Sequence, residues 1–262
     1  MSEVGWIDTH NHLQVDIFDE DIEELWEKAK SLGVTDAIIT AGCAADWDRV
    51  VSRAQKLQIH YTLGIHPLYV DQSRDEDLNL LWERLNRSLD DPLFVGIGEI
   101  GLEENPQTRD EAFFARQLNF AAKLALPVSV HVRKTASRVL KYLRRRRGVT
   151  GVIHAFNGSD VEREAFLALG FRLGFGGAAT YEGSRRIRRH LAEVPDWAWV
   201  LETDAPDMPS SARRDRGELR TEPADLAEYG RLAAALRGIP PEEAARQSTD
   251  NARAAFPRLT GP

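Results

Sequence analysis

Asp8-Thr9-His10-Asn11-His12 closes an apolar run that begins at Val4. A run of this kind reads as a strand buried on both faces, the first of a parallel sheet. In an open doubly wound sheet that strand would feed a glycine-rich phosphate loop; here two histidines stand in its place. Further runs of the same type span Val34–Thr40, Ile59–Ile65, Leu93–Ile100, Pro127–His131, Gly151–Phe156, Phe171–Gly176 and Ala198–Thr203. They alternate with helix-like stretches at Asp21–Ser31, Trp47–Leu57, Asp75–Asp90, Thr108–Leu124, Thr135–Arg146, Asp160–Leu169, Ser184–Glu193 and Pro223–Leu236. In the first of these, Ile22, Leu25, Trp26 and Ala29 form one stripe, and Gly33 supplies the stop. Strands separated by helices of this length pair in parallel. Eight such pairs in about 250 residues predict an α/β fold of the (β/α)8 barrel type, with residues 1–262 as one domain.

Of the 262 residues, 42% are hydrophobic and 29% charged, which supports a sizeable core and excludes a disordered chain. A single cysteine, Cys43, excludes a disulfide scaffold and suits a reducing compartment. No apolar stretch approaches the roughly 18 residues that span a bilayer. The opening Met1–Trp6 has neither a basic lead nor a hydrophobic run, so no signal peptide is expected. The expectation is a cytoplasmic monomer without a membrane partner. Net charge is −7, which disfavours nucleic acid as a stably bound partner. Metal ions in a site would supply local positive charge that this count leaves out.

Five of the seven histidines fall at or just past the C-terminal ends of the expected strands: His10, His12, His66, His131 and His154. That rim is where barrels of this type build their active sites. Glu99 on the fourth strand and Asp204 after the eighth join it. Side chains at i and i+2 share a strand face, roughly 6.6 Å apart. His10 and His12 therefore point into the mouth, with Asp8 on their face one layer deeper, while Thr9 and Asn11 face outward. Glu202 stands below Asp204 in the same way, and closing the barrel brings Asp204 to the two histidines. Imidazole and carboxylate suit Zn²⁺ or Mn²⁺, and additional oxygen ligands admit Mg²⁺. Asp8 and Glu202 are then acids that hold the ligands in register. Any one of these residues reads as readily as a helix cap or a strand-end hydrogen bond; six on one rim do not.

The strand-seven glycines Gly174, Gly176 and Gly177 mark either close approach of a ligand or a tight bend. The run Arg144–Arg147 reads as a helix end complementing the macrodipole rather than a DNA patch. Arg185, Arg186, Arg188 and Arg189 carry the same two readings nearer the mouth.

The ordered set of motifs resembles the TatD family of metal-dependent hydrolases, within the amidohydrolase-like barrels. Besides Asp8–His12 it comprises Gly64-Ile65-His66-Pro67, Gly98-Glu99-Ile100-Gly101-Leu102 and Pro127–Arg133. It continues through His154-Ala155-Phe156-Asn157-Gly158, Leu201–Pro206, Arg220-Thr221-Glu222-Pro223 and Asn251-Ala252-Arg253. The resemblance implies two divalent ions (Zn, Mg or Mn). His10, His12 and Asp204 would hold one, His131 and His154 would reach the other, and Glu99 would bridge them. It further implies a TatD-type deoxyribonuclease of the 3'-5' exonuclease type, acting on DNA ends or single strands by metal-activated water. Glu99 and Asp204 would be the catalytic residues, with Asp204 handling the proton. His66 and Arg133 are candidates to hold the phosphate of a nucleic acid substrate. Glu103 departs from the family's Gly-Leu-Asp, a change expected to bear on substrate fit more than on metal binding. The alternatives are a metal-dependent ester or amide hydrolase, such as an aminoacyl-tRNA deacylase, and a non-enzymatic scaffold.

Overall fold

The computed structural model describes residues 5–259; Met1–Val4 and Thr260–Pro262, which the expected first strand and domain limits include, lie outside the described residues. Eight strands form one parallel sheet in sequence order. They are β1 (Trp6–Asn11), β2 (Val34–Thr40), β3 (His60–Leu63), β4 (Phe94–Leu102), β5 (Val128–Val132), β6 (Gly151–Ile153), β7 (Arg172–Phe175) and β8 (Trp199–Leu201). Helices α1 (Ile22–Ser31), α2 (Trp47–Leu57), α3 (Asp75–Ser88), α4 (Thr108–Leu124), α5 (Ala136–Leu143), α6 (Asp160–Leu167) and α7 (Arg185–Glu193) follow the first seven strands in turn. After β8 come α8 (Ser211–Asp215), α9 (Leu226–Arg237) and α10 (Pro241–Ala255). All eight expected strands are present in the expected order. The expected helices are present too: α2 and α4 match their expected bounds, α1, α3, α5, α6 and α7 are trimmed at their ends, and α9 begins later and ends one residue beyond the expected stretch. The sequence reading missed α8 and α10.

Alternation explains the layers. Outward side chains such as Tyr61, Ile97, Val130 and Leu173 pack with the helices in the larger core. Inward, Ile38, Val95, Val152 and Val200, one from each even-numbered strand, form a layer joined by Ile7, the packed interior expected of this barrel. Ala252, Ala255, Phe256 and Leu259 seal that layer from below. Above it the inward positions turn polar, with Thr40, Thr62, Ser129 and Glu202 all buried. The seam between β8 and β1 closes just past the end of β8. Asp204 N donates to His10 O (2.9 Å) and His12 N to Ala205 O (2.8 Å), while Thr9 Oγ1 donates to Leu201 O (2.9 Å).

The strict alternation expected across Asp8–His12 does not hold. Asp8 pairs with Ala37 but Asn11 with Ile39, so β1 carries an extra residue at a bulge. This lets Ile7 and His10, an odd step apart, both face inward. Asp8 turns its carboxylate back along its own strand instead, accepting from His10 backbone N (3.2 Å) and from the Asn11 side-chain Nδ2 (3.2 Å).

The strand-seven glycines meet protein rather than ligand. A Cβ at Gly174 would lie 2.1 Å from Glu202 Oε2, and one at Gly177 would lie 2.2 Å from Met208 O. Arg146 is bound to Asn119, Tyr142 O and Ala115 O, which makes it a brace between α5 and α4. Arg186, Arg188 and Arg189 likewise bond Asn157, Ala179 O and Asp160.

Candidate metal centre

Glu99 is the hub of the mouth, and its two oxygens divide the surrounding imidazoles. Oε2 lies 3.1 Å from His10 Nε2 and 3.3 Å from His12 Nε2. Asp204 Oδ1 completes that side, 3.7 Å from His10 Nε2 and 3.5 Å from His12 Nε2. Oε1 lies 3.0 Å from His131 Nδ1, 3.1 Å from His66 Nε2 and 3.5 Å from His154 Nε2. The rings of His10 and His154 stack at 3.9 Å, joining the two halves. The fold thus brings together all six residues expected to hold metal. The backbone at Asp204 is left-handed (φ 57°), a conformation uncommon outside glycine that turns the end of β8 toward β1.

The far nitrogen of each ring shows what the near one can do. His12 Nδ1 donates to Thr40 O (2.8 Å). His154 Nδ1 donates to Glu202 Oε1 (3.2 Å), and His131 Nε2 to Glu103 Oε2 (3.0 Å). In the neutral ring the remaining nitrogen then carries a lone pair, and all three lone pairs face carboxylate oxygens. Such pairs at 3.0–3.5 Å are relieved either by a proton on the ring or by a metal ion between ring and carboxylate. Glu99 Oε1, buried, faces the His131 and His154 nitrogens as well as His66 Nε2, more imidazoles than one oxygen can accept from without help. Two ligand atoms each about 2.1 Å from one ion stand roughly 3.0–3.4 Å apart, which matches the spacing seen. The residues fit divalent metal, and the acids behind the histidines follow the usual arrangement that fixes ring orientation.

His66 is different. Its Nδ1 accepts from Leu68 N (3.0 Å), so in the neutral ring Nε2 carries the hydrogen and donates. It is a hydrogen-bond donor aimed into the site, not a nitrogen offering a lone pair. Arg133 lies farther out, 62% exposed at its side chain, with Nη1 3.3 Å from Glu103 Oε1.

Charge in the mouth follows from this packing. Burial depresses the His12 pKa, but the Glu99 hydrogen bond and charge and the Asp204 charge overcome it and raise the value to about 9. Burial likewise opposes protonation of His154, yet Glu202, Glu99 and Asp204 lift it to about 10. Burial and the neighbouring His154 hold His10 well below the usual imidazole range. Despite burial, the surrounding imidazoles keep Glu99 well below the carboxylate range. Asp204 rises to about 6, burial outweighing the attraction of His154 and His12.

Two acids brace the frame. Asp8 Oδ1 accepts from Thr203 N (2.9 Å) and Oδ2 from Thr203 Oγ1 (2.6 Å), tying β1 to the residue before Asp204. Glu202 Oε1 accepts from Ala155 N (2.6 Å) as well as from His154. Glu103, expected to bear on substrate fit, touches His131 directly. The pairing of Leu102 with Val132 held the signal, since it sets Glu103 beside the end of β5. The cavity over the centre measures about 240 Å³, and its walls include Val15, Leu68, Tyr69, Asp46, Pro206 and Asp207.

The family described as TatD related DNase matches residues 7–257. The chain belongs to this family. Within it, the chain is 33% identical over 257 residues to the uncharacterized metal-dependent hydrolase YjjV of Escherichia coli (strain K12), covering 96% of this chain and 97% of that protein. It is also 33% identical over 252 residues to the 3'-5' ssDNA/RNA exonuclease TatD of Erwinia billingiae, covering 91% and 94%. The crystal structure of YjjV, a TatD homolog, matches with a TM-score of 0.89 at 30% identity, covering 96% of this chain and 98% of that one. As a TatD-family member this chain is a metal-dependent hydrolase. No helix among the described residues is long and apolar enough to cross a membrane.

Proposed function

We propose that this hydrolase is a phosphodiesterase acting on DNA, a 3'-5' exonuclease on single strands or ends that works with two divalent ions (Zn, Mg or Mn). The observation that carries the reading is Glu99, whose Oε2 faces His10 and His12 while its Oε1 faces His131 and His154. A carboxylate shared in this way suits a bridging ligand. His10, His12 and Asp204 would hold one ion, and His131 and His154 the other. Bound divalent metal supplies Lewis acidity, lowering the pKa of water and neutralising charge on the phosphoryl oxygens.

The protein's own groups do the rest. Asp204 Oδ1, beside His10 and His12, takes up the proton released on attack. His66 Nε2–H donates to a phosphoryl oxygen, since Leu68 N fixes its tautomer. Arg133 meets the phosphate farther along the strand, its exposed guanidinium able to exchange Glu103 for a phosphate. Asp8 and Glu202 hold Asp204 and His154 in place. The relative from Erwinia billingiae, named as an ssDNA/RNA exonuclease, supports this choice of substrate.

The test starts with elemental analysis of protein purified without added metal. It continues with 5'-labelled single-stranded DNA in Mg²⁺, Mn²⁺ or Zn²⁺, with and without chelator. Metal-dependent shortening from the 3' end is expected. Intact DNA alongside cleavage of acyl esters would transfer the assignment to a deacylase.

A further inference from the structure

We propose that Leu68 and Tyr69 form a stacking platform for the nucleobase attached to the reacting phosphate. The inference rests on the nucleic acid reading above. Both side chains lie on the short 3-10 turn Pro67–Gln72 that follows His66. They are large, apolar and exposed, at 60% for Leu68 and 39% for Tyr69. They also line the cavity that holds Glu99, His131 and Asp204. The Tyr69 ring stands 6.2 Å from His66, edge-on at 71°. A Cβ at Gly42 would come within 2.9 Å of Tyr69 Cε2, so glycine there lets the ring lie close to the wall. The platform is therefore about one sugar away from the phosphate that His66 is aimed at.

Charge selects which part of the substrate turns toward this wall. Among the described residues lining the cavity there is no lysine or arginine, and Asp46 and Asp207 stand on its rim. A second phosphate is unwelcome there. The cations lie across the mouth at the end of β5, where Arg133 meets Glu103 and Lys134 meets Glu104. The strand backbone leaves toward β5, and the base turns toward β3. At about 240 Å³ the cavity is smaller than a drug-sized pocket and takes one nucleotide unit rather than a duplex. Stacking on an aromatic and an aliphatic face needs no base-edge hydrogen bonds, so recognition tolerates any base.

The test compares thymidine 5'-(p-nitrophenyl phosphate) with methyl p-nitrophenyl phosphate, which share a leaving group and differ in the base-bearing sugar. Tyr69→Ala is expected to lower the ratio of their kcat/KM values by about tenfold to a hundredfold, mostly through KM. Tyr69→Phe should restore the ratio and Leu68→Ser should lower it less. In parallel, a single strand ending in 3'-terminal 2-aminopurine is titrated against Asp204→Asn protein, whose turnover is slow enough for binding to be read first. Its fluorescence should be quenched on binding, and the quenching should disappear when Tyr69→Ala is added. An unchanged ratio and unchanged quenching in Tyr69→Ala would overturn the platform while leaving the nuclease reading intact. A metal-loaded wild type that hydrolyses neither ester would end both.

Discussion

Gly174→Ala is the sharpest test of how this centre is held. A Cβ there would lie 2.1 Å from Glu202 Oε2, 2.7 Å from Cδ and 3.1 Å from Oε1. The contact needs at least about 3 Å, so the carboxylate must retreat by roughly 1 Å or β7 must bow outward. Either movement strains two hydrogen bonds that Glu202 Oε1 accepts, from His154 Nδ1 (3.2 Å) and Ala155 N (2.6 Å). Bonds to a charged group contribute about 1.5–3 kcal/mol each, and overpacking alone costs about 1–3 kcal/mol. A loss of about 2–4 kcal/mol of stability is expected, read as the shift in a urea unfolding curve. Loosening an acid that orients a ligand histidine typically weakens metal binding by about 10- to 100-fold. Titration calorimetry with Mn²⁺ should show this. Glu202→Asp in the Gly174→Ala background withdraws the carboxylate by one methylene and should recover part of both losses. If Gly174→Ala binds Mn²⁺ and unfolds like the wild type, strand seven does not need glycine for Glu202.

Three further outcomes follow from the same geometry. Asp204→Asn should lower kcat by about 10²- to 10⁴-fold with an unchanged circular dichroism spectrum; near-normal turnover would remove Asp204 from proton handling. Asp8→Ala strips acceptors from His10 N, Thr203 N and Thr203 Oγ1, and should destabilise by about 3 kcal/mol or more, with Asp8→Asn milder, as measured by urea unfolding. In chelator, His12 and His154, raised to about 9 and 10, add stability that is complete below pH 6.5 and drains away as pH climbs through those values. Unfolding midpoints at pH 7 and pH 10 should diverge without metal. The difference should shrink with saturating metal, which binds the same nitrogens deprotonated.

The strands were legible because each is a short apolar run bounded by turn residues, a signal that survives without tertiary context. Helix α10 was not. Its exposed face of Glu242, Glu243, Arg246 and Asp250 hides a stripe of small residues, Ala244, Ala245, Ala252 and Ala255, which carries little hydrophobic contrast. Pro241 and the two following glutamates were the available start signal. At the site, residue identities were readable because strand ends in a barrel converge whatever the loops do. Ring orientation was not readable, since it depends on groups far away in sequence, Thr40 for His12 and Ser129 for His10. The bulge at Asp8–Asn11 was equally hidden. It goes together with hydrogen bonds between Asp8 and Thr203 that no local pattern records.

Phe256 and its neighbours seal the barrel interior against Ile7, from which they are widely separated in sequence. Strands and helices can therefore pair in turn with near neighbours, yet Ile7 completes its inner layer only with partners distant from it in sequence. Deleting residues 252–259 would leave an uncorked cylinder with greasy walls open to water, a species prone to stick to others of its kind.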